Sequence, residues 1–348
     1  MSLLLEIKDV TKTYGGGFMR GEGNTALDNI SFGIDGEKPS ITAVAGESGS
    51  GKSTLAKLLL GFIKPTSGTV FYQGEDISKI RGASRQHFRR EVQAVLQDPY
   101  EAFNPFYKVD HVLNMPIAKY GLANSRDEAR EMAETALRTV GLRPADTLGR
   151  YPHQLSGGQR QRVMVARTVL LKPKIILADE PVSMVDASLR ATILESLLQL
   201  HQEQGISILY ITHDLNTAYQ VAQNIMVLYR GSVVETGSVE SVIEQPKHPY
   251  TQLLVSSIPA PNTEDRWRDQ DLSESGDMEV QSADVTGGCK YIALCPVAMP
   301  RCSQSLPPVY LAKEEHGAAC FLYEDETETT LAELPSMYPQ QELVSSSS

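Results

Sequence analysis

Ser40-Ile-Thr-Ala-Val-Ala-Gly46-Glu47-Ser48-Gly49-Ser50-Gly51-Lys52-Ser53-Thr54 decides how the rest of this 348-residue chain is read. Its first six residues are a short apolar run of strand type, and Lys52 to Phe62 has the apolar spacing of a helix. Between them, Gly46 to Ser53 fits the pattern G-x-x-x-x-G-K-[ST]. Glycines let the backbone wrap until successive N–H groups face phosphate oxygens; Lys52 brings a cation to the β and γ phosphates, and the Ser53 hydroxyl reaches Mg²⁺. The pattern therefore predicts a nucleotide cradle running from Gly46 to Thr54.

Downstream, Lys174-Ile-Ile-Leu-Ala-Asp179-Glu180 is an apolar strand that ends in two carboxylates. Such a strand delivers Asp179 to Mg²⁺ and leaves Glu180 to polarise the attacking water. An apolar run ending in acids is common by itself, but beside a phosphate cradle it reads as nucleotide hydrolysis. Strand-like runs at 3–10, 30–34, 207–211 and 225–229 alternate with helical runs, the longest at 187–203, so the class is α/β. Residues 107–150 are mostly helical and read as an insertion, with Ser125 and Glu128 placed as a capping box. No repeat of 20 to 50 residues occurs, which predicts a single nucleotide-binding unit.

Charge is unevenly spread. The total is −11, yet 16 of the 43 acidic and 5 of the 32 basic residues lie in 261–348, leaving 27 of each before them. A balanced body with an acidic end offers phosphate backbones nothing to grip, so no nucleic-acid partner is expected. With 22% charged residues and a mean hydropathy of −0.23, the chain is expected neither to span a membrane nor to carry an export signal. The polar stretch 261–286 reads as a linker, and 326–348 as a disordered tail. Cys289, Cys295, Cys302 and Cys320 all fall in the last sixty residues, spaced C-x5-C-x6-C-x17-C without a C-x2-C knuckle. Spacing alone leaves an iron–sulfur cluster, zinc and unmetallated thiols open.

Leu155-Ser156-Gly157-Gly158-Gln159, followed by Arg-Gln-Arg, resembles the signature motif of ATP-binding cassette (ABC) ATPases. That resemblance implies a P-loop NTPase ABC nucleotide-binding domain over 1–260, with a helical subdomain at about 98–170 and an antiparallel β subdomain. It also implies roles for single residues. Tyr14 resembles the aromatic that stacks on adenine. Gln97 resembles the hinge glutamine that senses Mg²⁺ and water, and His213 the switch histidine on the γ-phosphate. Asp186 resembles the aspartate of the loop that crosses between subunits, although Met184-Val185 stands where the family usually has Ala-Leu. In the family two cassettes face head to tail, so Ser156 to Gln159 of one close the nucleotide held by the phosphate loop of the other, and hydrolysis reopens the pair.

Past the cassette, Gln245-Pro-Lys-His248-Pro249-Tyr250-Thr251 and the four spaced cysteines resemble the C-terminal region of ATPase subunits of bacterial oligopeptide and dipeptide importers. Gln97-Asp-Pro-Tyr-Glu-Ala-Phe-Asn104-Pro105 is similar to that subfamily's extended hinge, with Ala102-Phe103 in place of the usual Ser-Leu. The resemblance implies a [4Fe-4S] cluster on the four cysteines of 287–325. It also implies a second ATPase subunit, expected to be a paralogue, two transmembrane permeases docking near 98–125, an extracytoplasmic solute-binding protein, and a place on the cytoplasmic face of the membrane. Two rivals remain at this level: a soluble cassette of DNA repair, translation or cluster assembly, and a catalytically idle regulatory cassette. Long coiled coils and tandem cassettes are absent from the sequence, which weighs against the first. Intact Glu180, His213 and Leu155 to Gln159 weigh against the second.

Overall fold

A computed structural model describes residues 3–15, 23–98, 103–258, 287–313 and 315–330. Two sheets carry the fold. The smaller joins β1 (Leu3–Tyr14), β2 (Asn24–Asp35), β4 (Ser67–Tyr72) and β5 (Glu75–Asp76), all antiparallel, in the order β2-β1-β4-β5. The larger is mixed. Its parallel part contains β3 (Ile41–Ala45), β6 (Val92–Val95), β7 (Ile175–Asp179), β8 (Ser207–Thr212) and β9 (Asn224–Tyr229), ordered β9-β3-β8-β7-β6. Every residue of β8 is buried, as expected for a parallel strand covered on both faces.

Helices wrap this sheet. After α1 (Lys52–Leu59) and α2 (Gly82–Glu91), the inserted helical layer comprises α3 (Asp110–Tyr120), α4 (Arg126–Thr139) and α5 (Pro144–Thr147). It is joined by α6 (Gly157–Val169), which packs on α3, α4, β6 and α7 (Ala187–Gln204) and so ties the insertion to the sheet. The Ser125 hydroxyl caps α4 by accepting the Glu128 N–H at 3.1 Å. Only that half of the expected box forms, because the Glu128 carboxylate reaches one residue further back and accepts the Asn124 N–H at 2.6 Å.

The sequence placed its cysteine region outside the cassette, whereas the structure builds it into the large sheet. Beyond β9 come β10 (Ser232–Ser238), α8 (Leu215–Val221) and α9 (Val239–Glu244) beside them, and α10 (Pro249–Ser256). The antiparallel edge then runs β13-β11-β12-β10, from β11 (Val309–Lys313), β12 (His316–Ala318) and β13 (Glu328–Thr329). The expected tail from 326 is therefore corrected at its start: Thr329 pairs with Val309, and ordered structure continues to 330. The expected linker at 261–286 and the remainder of the tail, 331–348, lie outside the described residues. Among the described residues, no helix is long and apolar enough to cross a membrane.

Candidate functional site

Strand order and register assemble the site. Ala45 lies level with Thr212, Ile211 with Asp179, and Ala178 with Val95. The residues just past these carboxyl ends are Gly46, His213, Glu180 and Gln97, which therefore line up along one edge of the sheet, where open parallel sheets place their ligands. Gln97 Nε2 donates to Glu180 Oε2 at 2.9 Å, and His213 Nδ1 lies 3.0 Å from Glu180 Oε1. Three residues that the sequence brought in separately thus meet on one carboxylate. Glu180 sits at φ 45°, in the left-handed region that non-glycine residues rarely occupy, with its N–H bonded to the Ile211 carbonyl at 2.8 Å.

The phosphate loop turns through Gly49 and Gly51 at φ 81° and 107°. A Cβ on Gly51 would come within 2.4 Å of the Ala26 carbonyl oxygen, so no other residue fits there without moving β2. Glu47, Ser48, Gly49 and Ser53 are exposed, Thr54 is half-buried, and Ser50 is buried. Lys52 is buried beneath them, and its Nζ donates to the carbonyls of Gly46 and Glu47 at 2.6 and 2.7 Å. Burial lowers the Lys52 pKa, while the charges of Glu180, Asp179 and Glu47 oppose that shift.

Asp179 is the natural partner for a cation. Its Oδ1 is buried and has no hydrogen-bond partner, and burial followed by repulsion from Glu180 raises its pKa, against a bond from Ser53 and the charge of Lys52. A carboxylate oxygen left orphaned beside a serine hydroxyl fits Mg²⁺, which would restore its charge and satisfy its lone pair.

The signature motif opens α6. Ser156 Oγ accepts the Gln159 N–H at 3.2 Å and Gln159 Oε1 accepts the Ser156 N–H at 2.9 Å, a complete capping box. Ser156 is exposed, Gly157 and Gln159 are half-buried, and Gly158 is buried. A Cβ on Gly158 would meet Leu189 Cδ1 at 2.7 Å, so glycine lets α6 and α7 approach. Asp186 is exposed at the entrance to α7. In the departing pair, Val185 is buried and Met184 is 56% exposed, so only Val185 contributes packing. Tyr14 ends β1 on the smaller sheet, 42% exposed, with Lys12 Nζ 5.1 Å from its ring centroid.

All four cysteines line one pocket, walled by Tyr291, Ile292, Val297, Met299 and Phe321. They are free thiols, and the Cys289 N–H donates to the Cys302 carbonyl at 2.7 Å. Burial pushes the Cys320 thiol up to about 11 and raises that of Cys289. Among the described residues, no three His, Cys, Asp or Glu side chains are grouped tightly enough to hold a single ion. Four thiols are the number of ligands that an iron–sulfur cluster takes, and the pocket brings them to one wall without grouping them as the ligands of an ion.

Two features escaped the sequence reading. Tyr250 of the His-Pro-Tyr motif accepts the Glu47 N–H of the phosphate loop on its hydroxyl, at 3.0 Å. Glu235, fully buried, accepts from the Lys247 and His248 N–H groups at 2.7 and 2.8 Å, and its Oε1 lies 2.6 Å from His316 Nε2. A charged residue at an inward position of a strand was the only available signal for the second. Nothing local announced the first.

Comparison with known proteins gives two family matches: the ABC transporter model over residues 27–183, and the oligopeptide/dipeptide transporter C-terminal region over 234–302. The chain is 35% identical over 325 residues to the oligopeptide transport ATP-binding protein AppF of Bacillus subtilis (strain 168), covering 92% of this chain and 97% of that one. It is 38% identical over 299 residues to the dipeptide transport ATP-binding protein DppF of Escherichia coli (strain K12), covering 85% and 86%. Among solved structures it is similar to the ATP-binding cassette MJ0796 in a dimeric post-hydrolysis state with ADP and Pi. The TM-score is 0.60 at 31% identity, covering 68% of this chain and 98% of that chain.

Proposed function

This chain belongs to the ABC transporter family of ATP-binding proteins, and from that membership we propose that it hydrolyses ATP to power import of peptides or similar small solutes across the cytoplasmic membrane. The observation that carries the reading is the Glu180 carboxylate, held on one oxygen by Gln97 and on the other by His213, one residue past the orphaned oxygen of Asp179.

ATP lies in the loop from Gly46 to Thr54 with Tyr14 stacked on adenine. Lys52 leaves the carbonyls of Gly46 and Glu47 for the β and γ phosphates. Ser53, Asp179 and Gln97 would hold Mg²⁺, which when bound would neutralise phosphate charge. Glu180 takes a proton from the attacking water as its oxygen bonds to the γ-phosphorus and ADP departs, and His213 orients against the same phosphoryl group. Ser156, Gly157, Gly158 and Gln159, at a capped helix N-terminus, close on the γ-phosphate of a facing subunit, with Asp186 crossing between the two. Ser156 is exposed on the helical layer of its own chain, which supports a partner's nucleotide as its target.

The facing subunit is a paralogous ATPase. Two permeases dock on the helical layer, where Phe106, Tyr107 and Met115 are exposed at 85%, 52% and 47%, close in sequence to the Gln97 hinge. A solute-binding protein outside the membrane selects the cargo, and this chain sits peripherally on the cytoplasmic face. Cys289, Cys295, Cys302 and Cys320 would hold a [4Fe-4S] cluster, which would act there as a structural clamp. Reconstitution with the permeases in proteoliposomes tests the reading: peptide uptake should require ATP and stop in the Lys52→Ala complex. Uptake that continues in that variant contradicts it.

A further inference from the structure

Two relays link the cysteine region to the two limbs of the phosphate loop. On the entry limb, the Glu47 N–H donates to the Tyr250 hydroxyl at 3.0 Å. Tyr250 is fully buried, its ring 4.5 Å from that of Tyr229 and 5.6 Å from that of Tyr291, measured between centroids. Tyr291 in turn walls the thiol pocket, together with His248 and Pro249. On the far limb, the Gly231 N–H donates to the Ser50 carbonyl at 2.9 Å, and the Gly231 carbonyl accepts from the Asp28 N–H at 2.8 Å. Lys290, adjacent to Cys289, clamps that hairpin: its Nζ lies 2.9 Å from Asp28 Oδ2 and 3.0 Å from the Arg230 carbonyl.

The Gly46–Glu47 peptide is gripped from both sides, by Tyr250 on its N–H and by Lys52 on its carbonyl at 2.6 Å. Lys52 is the cation that moves to phosphate, so its grip is released when nucleotide arrives. Tyr250 then remains as the bond on the entry limb. A phosphate cradle binds well because its amides are fixed before the charge enters, and any freedom left in the loop is entropy lost on binding.

We infer that Tyr250 and Lys290 are positioning residues through which the cysteine pocket sets the shape of the phosphate loop, so that the integrity of that pocket is read out as ATP affinity. The inference rests on the ATP-binding reading above. It deepens that reading by giving the cysteine region a role in the same site.

The test uses the full chain and two readouts: the dissociation constant for ATP, by displacement of a fluorescent nucleotide, and amide exchange of residues 46–53 without nucleotide. Tyr250→Phe removes only the hydroxyl, Lys290→Met keeps the stem, and Cys289→Ser alters the pocket. Tyr219→Phe makes the same hydroxyl deletion on an exposed ring and serves as control. Loss of one hydrogen bond in Tyr250→Phe, and of a surface ion pair and one hydrogen bond in Lys290→Met, predicts Kd raised about 3- to 10-fold in each. Exchange at 46–53 should be faster in both, Cys289→Ser should move both readouts the same way, and Tyr219→Phe should match wild type. Wild-type values for Tyr250→Phe and Lys290→Met, or for Cys289→Ser, overturn the inference. Failure of the wild-type chain to bind ATP instead defeats the ATP-binding reading, and the exchange measurement still decides the brace.

Discussion

Nδ1 of His213 lies 3.0 Å from Oε1 of Glu180, across the ends of two neighbouring strands. Gln97 holds the other oxygen, so the carboxylate proposed as proton acceptor is fixed from both sides. Glu180→Gln keeps the shape and both partners but removes the proton acceptor. Phosphate release by the assembled complex should fall by about 10²-fold or more, while ATP still binds and the closed pair accumulates. Phosphate release and nucleotide binding, measured on the same sample, check this; wild-type turnover sinks the assignment of Glu180.

Ser156→Asp separates a helix cap from a phosphate contact. Aspartate caps as well as serine does and suits the positive end of α6, so thermal stability should stay near wild type. A carboxylate facing a γ-phosphate repels it. The expected result is unchanged ATP affinity in the isolated chain and at least tenfold slower hydrolysis in the complex, read by nucleotide binding and phosphate release. Equal loss in both would place Ser156 on its own chain's nucleotide.

His248 predicts an acid sensitivity. It is buried, which lowers its pKa to about 4 against the opposing charge of Glu235, and its Nδ1 accepts the Tyr250 N–H at 3.1 Å, which requires that nitrogen to be unprotonated. The folded value lies below the ordinary histidine value of about 6.5, so the unfolded chain takes up the proton first. This contribution is complete above pH 6.5 and is lost as pH falls towards 4, amounting to about 3 kcal/mol. Denaturant unfolding of wild type and His248→Asn across that window should show a steeper loss in wild type. Parallel pH profiles would remove His248 as the cause.

Glu235 pins the outer strands to the cassette. Glu235→Ala would leave the Lys247 and His248 N–H groups and His316 without their acceptor inside the protein. Breaking such a buried network costs about 3 to 5 kcal/mol. Amide exchange should quicken first in 309–318 and 247–256, with β3, β7 and β8 protected, and uniform loss across the chain would contradict the local role.

The catalytic edge was legible because each of its parts is a local pattern at the end of an apolar run. Asp179 ends β7, while Lys52, Glu180 and His213 follow β3, β7 and β8, and the fold needs only to set those strands side by side. The cysteine region was legible as a thiol cluster but not as part of the sheet. Glu235 pairs with Ala318 across some eighty residues of sequence, and no periodicity records such a pairing. Short strands such as His316–Ala318 and Glu328–Thr329 carry too little pattern to be read, so sequence alone starts the tail at 326 although strand pairing reaches Thr329. Tyr250 shows the same limit: the motif was visible, while its hydroxyl's partner lies 203 positions away.

Specific ATPase activity measured against chain concentration, without permeases and with the molecular mass followed in parallel, tests most directly whether each reaction centre is shared between two subunits. The shared centre predicts that a strictly monomeric preparation turns over ATP at a small fraction of the rate of the assembled complex. Full-rate hydrolysis by the monomer would contradict it.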